Sequence, residues 1–202
     1  NILNLATKPH WCWGMLGTQR RSFGNIVGHV DGVEDMSSLG AWTAQQFDPT
    51  LNWADVEWIK KRWGGKLILK GIMDAEDARL AAQTGADALV VSNHGGRQLD
   101  GAPSSIEVLP SIVDAAGKHI EVWMDGGIRS GQDVLKARAL GAQGTLIGRS
   151  FLYGLGAFGQ AGVTKALDII HKELDTTMAF CGHTNINHVG AEILLPGTYP
   201  VA

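Results

Sequence analysis

Residues 85–92 read Gly-Ala-Asp-Ala-Leu-Val-Val-Ser, and this stretch decides the fold class. Its apolar centre is continuous rather than alternating, which is typical of a parallel strand covered on both faces. A weaker copy occurs at residues 141–146, Gly-Ala-Gln-Gly-Thr-Leu. In both places a helix is expected to stop at glycine and to lead into a buried strand. The chain is therefore predicted to alternate strands with helices.

Four strand–helix units are predicted outward from this stretch. The strands are expected at 66–70, 88–92, 120–125 and 144–148, and a long helix at about 157–180. Asp74, Ser104 and Ser130 are expected to cap the first three helices. Pro110 is expected to kink the second helix or to delay its start. This order implies a parallel sheet, and the lack of Gly-x-Gly-x-x-Gly after a strand favours a barrel over an open dinucleotide-binding sheet.

Composition and charge narrow the possible functions. The 202 residues suffice for one domain with a sizeable core, but a complete eight-unit barrel usually needs ~250 residues. A net charge of −3 gives no case for nucleic-acid binding. Cys12 and Cys181 have neither metal-ligand spacing nor a disulfide framework, so we predict no metal site and a reducing cytosol. The sequence starts at Asn1 without a signal peptide, and we expect further sequence upstream.

The first 65 residues differ from the rest, since they hold six of the seven tryptophans and no clear strand. A helix is predicted from the cap Asn52 to about Trp63, with Val56, Ile59 and Trp63 as core contacts. We predict a Trp-rich loop or lid at 1–41, the main domain at 42–182 and a tail at 183–202. Residues 1–33 are predicted to contact a membrane, and a lid packed over the active site is the alternative. The residues behind this prediction are Lys8, Trp11, Trp13, Met15, Leu16, Arg20, Arg21 and Phe23.

Polar residues follow the predicted strands at the edge where parallel α/β folds bind ligands. Lys70 closes the first strand, where its ammonium is expected to reach an anion because an unpaired buried charge is costly. His94 and Arg97 follow the second strand. Histidine titrates near neutral pH and arginine grips carboxylates, so the two are predicted to be a proton acceptor and a carboxylate clamp. The alternatives are a snorkelling lysine, a capping histidine and a surface arginine.

Two glycine–arginine loops follow the third and fourth strands. They read Asp125-Gly126-Gly127-Ile128-Arg129 and Gly148-Arg149. Glycines let backbone N–H groups approach phosphate oxygens, and the loops after the last two strands of such barrels are a recurrent phosphate site. We predict a phosphate site here, with turn glycines and solvated arginines as the alternative.

Four motifs together resemble the FMN-dependent 2-hydroxy-acid dehydrogenases. They are Leu69-Lys70-Gly71, residues 92–100 (Ser-Asn-His-Gly-Gly-Arg-Gln-Leu-Asp), residues 125–131 (Asp-Gly-Gly-Ile-Arg-Ser-Gly) and Ile147-Gly148-Arg149. The similarity runs from about residue 42 to 182 in the family's order and spacing. It implies an α/β fold of the (β/α)8 TIM-barrel class, of which this chain carries strands five to eight with their helices.

The resemblance also implies roles for the motif residues. Lys70 would lie near the flavin pyrimidine edge, and Ser92 would contact the ring. His94 would take a proton from the substrate, and Arg97 would bind its carboxylate. The FMN ribityl chain and phosphate would be held by Asp125, Gly126, Gly127, Ile128, Arg129, Gly148 and Arg149. Whether His94 removes the carbon-bound or the hydroxyl proton stays open.

Oxidation of an L-2-hydroxy acid is the activity that the resemblance implies, with L-lactate to pyruvate expected first and glycolate or mandelate as alternatives. Residues 8–13 and 52–59 are similar to the respiratory, lactate-oxidising branch of the family. That branch implies a homo-oligomer in the cytoplasm, peripheral on the inner face of the cell membrane, and quinone or another electron acceptor. Two other interpretations remain. One is an inactive half-barrel that only binds phosphate or FMN. The other is another phosphate-binding barrel, such as a flavin-dependent isomerase, which would not need a carboxylate clamp beside a base.

Overall fold

The computed structural model describes residues 2–18, 23–26, 29–33 and 36–201. The chain separates into two compact units, Asn1–Leu51 and Asn52–Ala202. The predicted division after residue 41 falls inside a helix of the first unit, Met36–Gln45. The predicted domain boundaries stay predictions.

The described residues of the first unit include three helices. They are α1 (Ile2–Ala6), α2 (Pro9–Gly17) and α3 (Met36–Gln45). Proline opens α2, where its missing N–H would have no helical partner in any case. Helices α1 and α2 lie within the segment predicted as a Trp-rich loop or lid, and that role stays a prediction. Arg20 and Arg21, part of the predicted membrane-contacting cluster, lie outside the described residues.

The second unit carries the predicted alternation. Its elements are α4 (Trp53–Trp63), β1 (Ile68–Ile72), α5 (Ala75–Gln83), β2 (Ala88–Val91), α6 (Ser105–Ala116), β3 (Glu121–Asp125), α7 (Gly131–Ala139), β4 (Gly144–Leu146) and α8 (Arg149–Phe180). Short 3-10 turns occur at His94–Gly96, Ile186–His188 and Ala191–Ile193. The helix expected from about residue 157 begins at Arg149 instead, and it is interrupted at Phe158 and Gly159.

The predicted helix caps are confirmed. Asp74 accepts from the first turn of α5, and capping boxes at Asn52, Ser104 and Ser130 open α4, α6 and α7. The expected delay at Pro110 is wrong, because α6 begins at Ser105 and continues through the proline. The capping box and the burial of that helix's apolar face outweigh the cost of the lost N–H.

The four strands form one parallel sheet in the order β1-β2-β3-β4. In a doubly wound sheet the strand order reverses at a switch point, whereas in a barrel it follows the chain. The sequential order is that of four consecutive barrel units, which confirms the predicted fold class. Among the described residues, no helix has the length and hydropathy to cross a membrane.

Burial falls off from the centre of the sheet to its edge. All four residues of β2 are buried, and Leu89 and Val91 belong to one core cluster with Leu109, Ile112 and Met124. The first strand was predicted to be buried, but Ile68 is 44% exposed, and among the described residues β1 pairs with β2 alone. Core contacts were also predicted for Ile59 and Trp63, but both are exposed. Another tryptophan of α4, Trp53, packs against the core.

An ionic cluster around Asp87 lies just before β2, at the edge of the sheet opposite the strand carboxyl ends. Its carboxylate accepts from Lys60 Nζ at 2.5 Å, from Lys66 Nζ at 2.7 Å and from the Leu67 N–H at 2.9 Å. These donors, led by Lys60, hold the pKa of Asp87 well below its usual range. The cluster ties α4 and the start of β1 to β2.

Candidate functional site

The strand predicted to end at Lys70 continues to Ile72, and the Lys70 ammonium reaches from the middle of β1 to the carboxyl ends of β2 and β3. Its Nζ lies 2.9 Å from Ser92 Oγ and 2.9 Å from Asp125 Oδ2. The register between β1 and β2 shifts after Lys70, at a bulge that contains Gly71. The structure thus brings together three predicted site residues, and it favours a lysine held at a site over a snorkelling one.

The Asp125 carboxylate keeps one oxygen without a partner. Oδ2 pairs with Lys70, whereas Oδ1 is buried and has no hydrogen bond to any described residue. A buried acceptor without a donor is costly, so it calls for a donor from a ligand or water. Gly126 and Gly127 follow with φ of +89° and +79°, a region that favours glycine. The arrangement fits a ligand that carries hydroxyl groups and approaches the backbone closely, as the ribityl chain of FMN does.

His94 stands beside this cluster in a strained backbone conformation. Its φ is +55°, and it is the one non-glycine residue of the described stretches with positive φ. Such outliers persist where the surrounding structure over-determines them, and they concentrate at functional sites. The His94 N–H donates to Ser92 Oγ at 3.1 Å. A Cβ at Gly71 would lie 2.8 Å from His94 Nε2, so the imidazole occupies space that only a glycine leaves free.

Arg97 ends the turn that His94 begins. Its N–H donates to the His94 carbonyl at 3.4 Å. The side chain is exposed, and it forms no ion pair within the described part of the chain. The guanidinium is thus available to an anion.

Arg129 and Arg149 line one cleft of about 370 Å³. The other lining residues are Ser150, Tyr153, Ala166, Ile169 and Ile170. Arg149 is the first residue of α8, where unsatisfied N–H groups and the helix dipole favour anions. Ser150 Oγ donates to the Ile128 carbonyl at 2.9 Å, which ties the β3 loop to this helix start. Two exposed guanidinium groups at a helix start suit a phosphate dianion.

Sequence reasoning missed four residues of this region. Gly71 and Asn93 stood inside recognised motifs, but their contacts depend on how the strands pair. Ser105 is buried and contacts the loop that follows β2. Its place in the first turn of a predicted helix could have indicated this contact. Tyr153 is 73% exposed and lines the arginine cleft, and no motif in the sequence marked it.

A family profile described as FMN-dependent dehydrogenase matches residues 1–196. This chain belongs to that family. The L-lactate dehydrogenase of Caulobacter vibrioides (strain NA1000 / CB15N) is 46% identical over 195 residues, which cover 96% of this chain and 51% of the relative. The L-lactate dehydrogenase of Pseudomonas syringae pv. syringae (strain B728a) is 47% identical over 196 residues, with the same two coverages.

Solved structures of the family are also similar. The monotopic membrane protein (S)-mandelate dehydrogenase superimposes with a TM-score of 0.85 and 35% identity, over 95% of this chain and 50% of that one. A mandelate oxidase gives a TM-score of 0.73 and 43% identity, over 83% and 48%. These matches confirm the predicted family, and with it FMN as the family's cofactor. The chain spans about half the length of the curated relatives it matches, and the roles of individual residues stay predictions.

Proposed function

We propose that this chain supplies the phosphate site and the catalytic base of an FMN-dependent L-2-hydroxy-acid dehydrogenase. The observation that carries the proposal is that the Lys70 ammonium links β1 to the carboxyl ends of β2 and β3, with Ser92 Oγ and Asp125 Oδ2 each 2.9 Å away. His94 adjoins them through the hydroxyl of Ser92. A cation, a buried free acceptor and a base therefore share one edge of the sheet.

The cofactor half of this site is built from the β3 and β4 loops. Arg129, Arg149 and the start of α8 would hold the FMN phosphate. Asp125 Oδ1 would accept from a ribityl hydroxyl, and Gly126, Gly127 and Ile128 would supply close backbone. Lys70 would place positive charge beside the flavin ring. When bound, FMN supplies the acceptor for the two electrons that leave the substrate.

The substrate half consists of His94 and Arg97. Arg97 would bind the substrate carboxylate through two parallel hydrogen bonds. His94 would accept one proton, either from C2 or from the hydroxyl group, while the other hydrogen leaves as a proton to solvent or with the electron pair. Either route converts a 2-hydroxy acid to a 2-oxo acid, and the base is needed in both.

L-Lactate is the proposed substrate, because the curated relatives quoted above are both called L-lactate dehydrogenases. Mandelate is the second candidate, because it names the similar solved structures, and glycolate is the third. We define the completed enzyme as this chain fused behind the amino-terminal half of the Caulobacter vibrioides relative. Anaerobic flavin bleaching by L-lactate, glycolate and (S)-mandelate tests the choice. Fastest bleaching by L-lactate is expected, and no bleaching by any acid would refute the proposed function.

The chain by itself is not expected to work as an enzyme. Within the described residues, β1 and β4 each have one side that pairs with no strand, and such edges invite aggregation. Expressed alone, residues 1–202 should show no bound flavin and no lactate-dependent dye reduction. A soluble, yellow, active monomer would contradict this. Flavin without activity would favour a fragment that only binds FMN.

Peripheral attachment to the inner face of the cell membrane is the proposed location. In α1 and α2 no residue is buried, and Trp11, Trp13 and Leu16 are 50%, 81% and 73% exposed. Exposed aromatic and aliphatic side chains on a helix are typical of an interfacial segment. The name of the (S)-mandelate dehydrogenase structure describes a monotopic membrane protein. Quinone as electron acceptor and a homo-oligomeric state remain predictions.

A further inference from the structure

We infer that Asn93 is a positioning residue that holds His94 in its left-handed conformation. The inference rests on the proposed function, in which His94 is the base. Asn93 directly precedes the 3-10 turn His94–Gly96, and Ser92 separates it from the buried end of β2. It touches neither substrate nor cofactor in this proposal and acts through its neighbour.

The Asn93 amide fastens both ends of the polar loop that follows β2. Its Oδ1 accepts from the Gly95 N–H at 3.0 Å, and its Nδ2 donates to the Pro103 carbonyl at 3.1 Å. Its own carbonyl accepts from the Gly96 N–H at 3.0 Å. One residue thereby closes the turn around His94 and ties it to the segment that enters α6.

A second anchor connects Asn93 to the cofactor side. The Asn93 N–H lies 3.4 Å from Ser105 Oγ, in the buried first turn of α6. A Cβ at Gly126 would lie 3.1 Å from the same hydroxyl and 3.7 Å from Asn93 Oδ1. The loop that follows Asp125 is therefore packed at Gly126 directly against Ser105, which anchors the His94 loop. Asn93 therefore determines the position of His94 relative to the loop that follows β3.

The backbone of His94 needs this support. An L residue at φ +55° is disfavoured by contact between Cβ and the backbone. Without the Gly95 bond, His94 can relax toward the ordinary helical or extended regions, and rotation about φ carries the whole imidazole away from Gly71. The bond from the His94 N–H to Ser92 Oγ remains, so the loop loosens rather than unfolds.

Only an amide satisfies both contacts at once. Asparagine offers one acceptor and two donors, whereas aspartate at neutral pH offers acceptors alone. Asn93→Asp keeps the bond from Gly95 and loses the bond to Pro103. Asn93→Ala loses both. Comparison of the two variants therefore separates the effect of the Gly95 bond, which closes the turn around His94, from the effect of the Pro103 bond, which closes the loop after β2.

A matched control exists in the carboxyl-terminal segment. Asn185 precedes the 3-10 turn Ile186–His188, and its Oδ1 accepts from the Asn187 N–H at 2.9 Å. Asn185→Ala removes the same kind of turn-closing bond away from the strand carboxyl ends. Any effect that Asn93→Ala shares with this control is a general cost of losing such a bond.

The experiment measures turnover and amide exchange in the completed enzyme with the full 202-residue chain. Asn93→Ala is expected to lower kcat on the order of 10²-fold, since a misplacement of about 1 Å can cost that much, with KM little changed. Asn93→Asp should fall between Ala and wild type, and Asn185→Ala should match wild type. Hydrogen exchange should accelerate at Gly95 in Asn93→Ala alone.

Each failure has a distinct meaning. An Asn93→Ala enzyme as fast as Asn185→Ala, or one whose Gly95 amide exchanges at the wild-type rate, overturns the positioning role. If Asn93→Ala does not fold, an Asn93→Asp enzyme with wild-type kcat overturns the need for the Pro103 bond, and one whose Gly95 amide exchanges faster than in the wild type overturns the hold of Asn93 Oδ1 on the turn. If the unmodified completed enzyme oxidises no hydroxy acid, the proposed function fails, and the Gly95 exchange rate alone decides whether Asn93 holds the turn.

Discussion

Gly71→Ala tests directly whether the position of the His94 imidazole matters for the proposed proton transfer. The added methyl carbon would lie 2.8 Å from His94 Nε2, whereas ordinary contacts begin at 3.4 Å, so the ring must move by several tenths of an ångström. The φ of +106° adds backbone strain, at a cost of about 1–2 kcal/mol. Displacement of the base should slow flavin reduction by L-lactate on the order of 10²-fold. Stopped-flow absorbance of the flavin in the completed enzyme measures it.

Gly85→Ala is a control that separates the backbone strain of an added methyl group from its contact with His94. Gly85 has φ +78°, and its nearest neighbour to an added Cβ is Lys60 Cγ at 3.9 Å, so this variant is strained without touching the site. Both variants should lose similar stability in urea titration, but only Gly71→Ala should lose rate. Equal flavin-reduction rates in the two variants would show that the imidazole does not depend on the space above Gly71.

Three further predictions concern the phosphate site, the ionic cluster and the amino-terminal helices. Arg129→Ala and Arg149→Ala should each weaken FMN binding about tenfold or more, because charge-assisted hydrogen bonds are lost. This is measured by fluorescence titration of the apoprotein. Asp87→Asn should lower the free energy of unfolding near pH 7. Because the folded-state pKa of Asp87 is depressed, this stabilisation is present above the unfolded pKa of about 3.9 and is lost as pH falls through the folded pKa. Trp13→Ser with Leu16→Ser should move the completed enzyme from the membrane to the soluble fraction.

Each of these has its own control. Arg79→Ala removes an exposed arginine that pairs with Glu76 on α5, and FMN affinity there should not change. If Arg129→Ala and Arg149→Ala behave like this control, the cleft does not hold the phosphate. A stability gap between wild type and Asp87→Asn that persists unchanged at pH 2 would contradict the ionic origin of the effect. Phe180→Ser alters an equally exposed aromatic of α8, and release of that variant from membranes would make the α2 result non-specific.

Local chemistry made the strand–helix alternation predictable. A cap such as Asp74 bonds to N–H groups two and three residues ahead, so the sequence alone contains both partners. The same holds for the boxes at Ser104 and Ser130. The motifs that contain His94, Arg129 and Arg149 could also be recognised from the sequence, because each lies just after a predicted strand. The exposure of Ile68 in β1 could not be predicted from the sequence, because it depends on which strands flank β1.

The sequence by itself determined the four βα units, their caps and the placing of a lysine, a histidine and three arginines at strand ends. Only the tertiary structure decided that Lys70 pairs with Asp125, that one Asp125 oxygen is left over, and that His94 lies over Gly71. The physical reason is distance along the chain. Caps and turns join neighbours through short-range hydrogen bonds, whereas these contacts depend on strand pairing and on the bulge at Gly71, which packing of the whole sheet decides.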